Sequence, residues 1–126
     1  MKFDDIEVFE KAHIQIKDIY LELCILSKKT PDGAINKFKL KYVNQILEIF
    51  NKLLGMAYVP FSDFSLFDED EMPTNSDVVF IVSQYIKCVE KYKFDNIQVL
   101  SGKWYWCLED SKKSIETTSP LLELYR

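Results

Sequence analysis

The sequence PDGAINKFKLKYVNQILEIFNKLL, residues 31–54, contains the clearest periodic pattern in the chain. Apolar residues return every three or four positions from Ile35 to Leu53, which is the period of an amphipathic α-helix. Pro31 after Thr30 is typical of a first helical turn. Further apolar residues widen the arc to about 200°, roughly twice the width that one contact requires: Val43, Leu47, Phe50 and Leu54. We therefore predict a helix over residues 31–54 that is packed on two sides.

A second amphipathic pattern precedes this helix and predicts another helix over residues 4–27. Because the connection between the two is short, they should form an antiparallel hairpin. Three apolar residues of the first helix lie off its main stripe and form a second seam, which either another helix or a partner would cover: Ile14, Leu21 and Ile25.

The middle of the chain, residues 55–75, has no sustained period and contains two prolines, which predicts a long loop. A third helix is predicted over residues 76–93, with Ser76 as its N-cap. The β-branched run 78–82 could also be a buried strand, but the helical period continues beyond it and favours a helix.

Beyond residue 96 the apolar period changes from about 3.6 to two. Residues 97–118 are predicted to form a β-hairpin around Ser101-Gly102, with a third short strand near residues 114–118. Because so small a sheet is unstable alone, one face should pack on the helices, with Trp104 and Trp106 on it. The tail, residues 119–126, is apolar enough to dock.

These patterns predict one domain, residues 1–126, of the α+β class and mostly α: an antiparallel helical hairpin and a third helix, with a small C-terminal antiparallel β-hairpin or three-stranded sheet packed on them. With 48% hydrophobic residues, the chain can bury a core, which excludes wholesale disorder. Three cysteines are too few for a disulfide scaffold, and their apolar surroundings predict buried thiols.

The negative charge of the chain lies in one piece. Residues 53–86 hold six acids and no base, whereas the rest of the chain has a small excess of bases. Aromatic residues accompany these acids, and together the two sets are the candidate partner-binding residues: Tyr58, Phe61, Asp63, Phe64, Phe67, Asp68, Glu69, Asp70, Glu71 and Asp77. Such a segment is either a solvated loop or a negative docking surface with aromatic anchors for a basic partner.

Few residues indicate catalysis. His13 is the one histidine, and its position at the margin of the first helix's apolar arc predicts a partly buried structural role. Phosphate loops, nucleophile elbows and metal-ligand spacings are absent from the sequence, and Asp68 to Glu71 lack the spacing of a calcium loop. We therefore assign no catalytic residue, no metal ligand and no cofactor.

Charge and hydropathy also give expectations about cellular location, membrane spans and nucleic-acid binding. An early acidic turn and the lack of a long apolar run predict a cytoplasmic protein without a membrane span. Because fifteen of the sixteen basic residues are lysine and the net charge is −4, direct binding to nucleic acid is disfavoured.

Three functions remain in order of preference. The first is a protein-binding module, such as an immunity or inhibitor protein that covers a basic surface of its partner. The second is a structural protein that forms a homodimer through Ile14, Leu21 and Ile25, or through the wide face of the second helix. The third is a small-ligand binder or an enzyme without a recognisable motif, which would require a polar pocket around His13 or the loop carboxylates.

Overall fold

The protein consists of three helices and a small sheet. The computed structural model describes residues 2–108 and 115–120. Its elements in chain order are α1 (Phe3–Lys29), α2 (Lys37–Tyr58), a 3₁₀ helix (Glu69–Glu71), α3 (Asn75–Asp95), β1 (Ile97–Leu100), β2 (Lys103–Trp106) and β3 (Glu116–Thr117). The predicted fold class, α+β and mostly α, is confirmed. Residues 109–114 of the predicted hairpin region and 121–126 of the predicted tail lie outside the described residues.

Helix α2 begins six residues later than its pattern predicted. Asn36 is its N-cap, with its side-chain oxygen accepting from the backbone N–H groups of Phe38 and Lys39. Pro31 does not begin the helix, because the residues that follow it pair with the start of α3: the Ile35 N–H donates to the Pro73 carbonyl over 2.9 Å. At its other end the helix runs to Tyr58, past a kink at Gly55, so the predicted loop is shorter than residues 55–75.

The kink at Gly55 depends on glycine. Its φ is +65°, in the left-handed region that side chains with a Cβ rarely adopt. The backbone N–H of Val59 donates back to the Gly55 carbonyl and closes the final turn.

Helix α3 begins at Asn75 and includes residues 78–82, so the strand alternative for that run is wrong. Thr74 caps the helix, because its hydroxyl accepts from the backbone N–H of Asp77 over 3.1 Å. The predicted cap, Ser76, instead lies within the first turn. Both residues favour capping positions, and the pairing of residues 33–35 with 73–75 determines which one is used.

Hydrogen bonds between the helix ends show the relative directions of the three helices. Asn75, at the start of α3, donates to the Thr30 carbonyl at the end of α1, so these two helices are antiparallel. Tyr58, at the end of α2, donates to Asp95 at the end of α3, so those two are parallel. Residues 59–74 therefore travel the length of the bundle before α3 begins.

The core lies where the three helices meet, and Phe9 is near its centre. The Phe9 ring is fully buried and contacts the rings of Phe50, Tyr92 and Trp106, with centroid distances of 5.8, 5.8 and 5.2 Å. Aromatic pairs at such separations add to the stabilisation from buried area. One aromatic from each helix and one from the sheet thus meet at a single point.

The sheet has the order β1-β2-β3 and is antiparallel throughout. Trp106 is buried and its indole N–H donates to Glu10 of α1 over 2.7 Å, which fixes the sheet to that helix. Trp104 is half-buried and packs on the same core, in agreement with the predicted face. Cys24, Cys88 and Cys107 form no disulfide with one another and are half-buried, so the expectation of buried thiols is only partly correct.

Candidate protein-binding cleft

The loop between α2 and α3 is tied to both helices. The side chain of Asn44 makes two hydrogen bonds of 3.0 Å to the backbone of Phe67, one to its carbonyl and one from its N–H. Two turns further along α2, Asn51 donates to the Ser65 carbonyl over 2.8 Å and accepts from the Tyr85 hydroxyl over 2.6 Å. The backbone of Phe67 and the carbonyl of Ser65 thus have side-chain partners on α2.

The second half of the loop contains a tight turn. Asp68 caps the 3₁₀ helix by accepting from the backbone N–H of Asp70 over 2.9 Å. Met72 follows the helix in the left-handed region with φ at +50°, and the chain then reaches the backbone pairing at Pro73. This turn leaves the Met72 side chain 59% exposed.

An open cleft of about 570 Å³ lies between this turn and the first turns of α3. Its apolar lining comes from the loop and the helix, and three carboxylates share the cleft with it. The lining residues are Phe64, Phe67, Asp68, Glu71, Met72, Pro73, Thr74, Asp77, Phe80 and Ile81. We refer to these ten residues as the acid–aromatic cleft.

In the part of the chain that the structure describes, no cation forms an ion pair with a carboxylate of the cleft. Among the described residues, the ion pairs involve Glu22, Glu48, Glu90 and Asp95, and none involves an acid of the loop. Asp68, Glu71 and Asp77 are all exposed. The negative charge that the sequence concentrates in this segment is therefore accessible from solvent.

Half of the ten predicted binding residues line the acid–aromatic cleft. These five are Phe64, Phe67, Asp68, Glu71 and Asp77. Phe61 lies beside them, because its ring stacks on that of Phe80 with a centroid distance of 6.2 Å. Asp63, Glu69 and Asp70 are exposed but are not part of the lining.

Tyr58 lies away from the cleft, at the far end of the bundle. Its ring packs edge-on against Tyr92, and its hydroxyl donates to Asp95 over 2.6 Å. This hydrogen bond raises the pKa of the Tyr58 hydroxyl. For Asp95, the hydrogen bonds from Lys91 and from Tyr58 lower the pKa of the carboxyl.

Sequence reasoning missed the residues that complete the cleft and those that hold it. Phe80 is 55% exposed, although it lies in a helix whose other large apolar residues are mostly covered. It falls off the apolar stripe of α3, which was an available signal. Asn44 and Asn51 were part of the polar face of α2, and their spacing of seven places them in line along the helix.

The predicted homodimer seam is exposed. Ile14, Leu21 and Ile25 have 65%, 62% and 57% of their surface accessible, and no described element covers them. The exposure agrees with a stripe that lacks a partner within the chain, and self-association through it stays a prediction.

His13 belongs to a buried polar cluster between α1 and α3. It is 5% exposed, and its Nε2 lies 2.5 Å from Oε1 of Glu90, which is 1% exposed. The Lys17 ammonium lies 3.3 Å from the same oxygen. Burial alone would raise the pKa of the Glu90 carboxyl, but His13 and Lys17 lower it overall.

A buried lysine lies one turn further along α3. Lys93 is 1% exposed, and its ammonium donates to the Thr118 hydroxyl over 2.8 Å. Burial lowers its pKa. This cluster is more deeply buried than the partial burial expected for His13, and its contacts join α1, α3 and the sheet. Its geometry is that of a structural ion-pair network.

The chain was compared with known protein families, with curated proteins and with solved structures, and no match was found. Among the described residues, no helix has both the length and the apolar character needed to cross a membrane.

Proposed function

We infer that this protein is a protein-binding module whose acid–aromatic cleft engages a basic segment of another protein. The observation that carries this proposal is the placement of Asp68, Glu71 and Asp77 around exposed apolar side chains, with no ion pair to any cation of residues 2–108 and 115–120. Aromatic and Met side chains supply contact area at interfaces, whereas unpaired carboxylates attract a cationic partner and select its orientation.

The partner that fits is a segment with Lys or Arg next to an aromatic or aliphatic residue. The apolar residue would contact Phe80 and Met72, which are more than half exposed. The cation would lie among the three carboxylates. Because the loop is already tied to Asn44 and Asn51, the cleft pays little ordering entropy on binding. An immunity or inhibitor protein that covers a basic functional surface would use such a cleft.

The test uses peptides selected from a displayed random library on the immobilised full chain at low salt. We expect the selected peptides to be basic and to contain an aromatic or aliphatic residue. Their affinity for the triple variant Asp68→Asn/Glu71→Gln/Asp77→Asn should fall about tenfold or more, and affinity for the unaltered chain should fall as salt rises.

A matched control removes three other charges from the same loop: Asp63→Asn/Glu69→Gln/Asp70→Asn. These residues lie outside the cleft lining, so this variant should bind within about threefold of the unaltered chain. Equal losses in both variants would mean that the peptides respond to net charge alone. Unchanged binding in the cleft variant would disprove the proposal.

A cationic small ligand is the second candidate, because three carboxylates, two from the loop and one from α3, line one cleft. A polyamine such as spermidine is the probe. If spermidine binds the unaltered chain more tightly than any selected peptide, and the cleft variant abolishes this binding, the cleft is a small-ligand site. Competition between spermidine and a tighter-binding peptide would instead support the protein-binding function.

A further inference from the structure

Two of the three grooves between the helices are covered. The loop lies over the groove between α2 and α3, where Asn51 and Tyr85 hold it. The sheet covers one end of the groove between α1 and α3 through the bond from Trp106 to Glu10. In the part of the chain that the structure describes, no element covers the groove between α1 and α2.

This open groove is long and largely apolar. It consists of two adjoining clefts of about 580 and 240 Å³, which share Ile19 and Tyr42 in their lining. Along α1 the groove extends from Val8 to Leu23, which at 1.5 Å per residue is about 22 Å. Phe38 and Tyr42 are 68% and 42% exposed on its α2 side.

Two charged residues of the groove, Glu22 and Lys39, pair with each other over 2.9 Å, and the other charged residues in and beside the groove are arranged with internal symmetry. On α1, Lys11 and Asp18 are seven residues apart, so they lie on the same side two turns from each other. On α2, Lys41 and Glu48 are exposed beside the groove, outside its lining, and have the same signs, order and spacing; Glu48 also lies 3.8 Å from Lys52. Both pairs are centred at one level of the hairpin, because Gln15 and Gln45, next to the two midpoints, line the same cleft.

Consider a two-fold axis at that level that is perpendicular to the helices and lies in the plane between two copies. About this axis, the charges of one copy are complementary to those of the other. The axis places each helix antiparallel to its own copy. Lys11 then faces Asp18 of the second copy, and Lys41 faces Glu48, with every contact occurring twice. Exposed Phe38 and Tyr42 are covered in the same step.

We propose that a second copy of this chain occupies the α1–α2 groove and forms an antiparallel two-fold dimer centred on Gln15 and Gln45. In this dimer the two hairpins would pack face to face, and the acid–aromatic cleft of each chain would lie outside the interface. This interface is centred on the groove, whereas the exposed stripe at Ile14, Leu21 and Ile25 lies outside the groove lining and adjoins Lys11 and Asp18 on the outer side of α1. The proposal does not depend on the proposed function.

Charge reversal tests the pairing. Lys11→Glu and Asp18→Lys should each weaken the dimer about tenfold in sedimentation equilibrium at low salt, because each places like charges together twice. The double variant Lys11→Glu/Asp18→Lys should restore the affinity. An equimolar mixture of the two single variants should also form a tight dimer, because both contacts then pair opposite charges. Failure of both rescues would overturn the proposed arrangement.

Two further variants separate the faces of α1 and α2. Phe38→Glu should leave a monomer, whereas Leu21→Glu, outside the groove lining, should weaken the dimer much less. The reverse result assigns the interface to the exposed stripe, and a monomeric unaltered chain at about 0.5 mM excludes a dimer of useful affinity. Urea unfolding shows whether each variant is folded. The cleft variant of the peptide experiment should dimerise normally, so the two proposals fail independently.

Discussion

At the scale of single residues, the buried pair of His13 and Glu90 shows how partners change the meaning of a residue. The sequence places His13 on α1 and Glu90 on α3, separated by 77 positions, and gives no sign that they meet. In the fold both are buried, and the Glu90 carboxylate has its partners in the His13 ring and the Lys17 ammonium, which makes its burial tolerable. A histidine that would otherwise be a weak catalytic candidate is thereby assigned a structural role.

Glu90→Gln should lower the free energy of unfolding by about 2 kcal/mol, because it removes the buried carboxylate that bonds to His13 and Lys17. Urea unfolding at neutral pH measures this change. Glu7→Gln on the exposed side of α1 is the control and should change stability by less than about 0.5 kcal/mol. Equal stability of the two variants would show that the pair contributes nothing.

The Glu90 carboxylate also makes the stability of the fold depend on pH, in a direction that follows from its pKa. Its pKa is lowered in the folded state. Its stabilising contribution is therefore complete above the unfolded-state value of about 4.3 and is lost as the pH falls through the lower folded-state pKa. The unaltered chain should lose stability over that acidic window, and Glu90→Gln should make the loss shallower.

At the scale of elements, the loop of residues 59–74 is a structured segment. Its composition indicates a loop, and its length indicates a functional one, but the two Asn side chains of α2 determine its course. Residues 33–35 and 73–75 pair in turn, which moves the caps of α2 and α3 away from their predicted positions. Element types could be predicted from local periodicity, whereas these boundaries depend on contacts between distant segments.

Asn44→Ala should destabilise the protein by about 1 to 2 kcal/mol, because it leaves both backbone groups of Phe67 without their side-chain partner. Hydrogen exchange at Phe67 should accelerate more than exchange in the core of α1, which locates the effect in the loop. The exposed neighbour Lys37→Ala is the control and should leave exchange at Phe67 unchanged.

At the scale of the whole molecule, the charges that form ion pairs lie apart from the cluster of loop carboxylates. The ion pairs of the described chain lie between or along the helices, whereas the carboxylates of the loop have no such partner. Clustered like charges repel one another, so they are expected to serve binding at little benefit to stability.

The variant Asp68→Asn/Glu71→Gln/Asp77→Asn should therefore remain within about 1 kcal/mol of the unaltered chain in stability. Asn at position 68 can still cap the 3₁₀ helix, and the loss of Asp77 from the first turn of α3 is offset by reduced repulsion. Thermal unfolding measures this. A large loss of stability would mean that these carboxylates have a structural role.

By itself the sequence determined the element types, the hairpin of the first two helices, the small antiparallel sheet and the acidic segment with its aromatic residues. These follow from period, turn residues and charge order, all of which act over a few positions. Only the tertiary structure decided which acids share a cleft, that Phe80 and Met72 complete it, that Tyr58 lies elsewhere and that one groove stays open. These outcomes depend on how the long loop crosses two helices, and such contacts between remote residues have no period in the sequence.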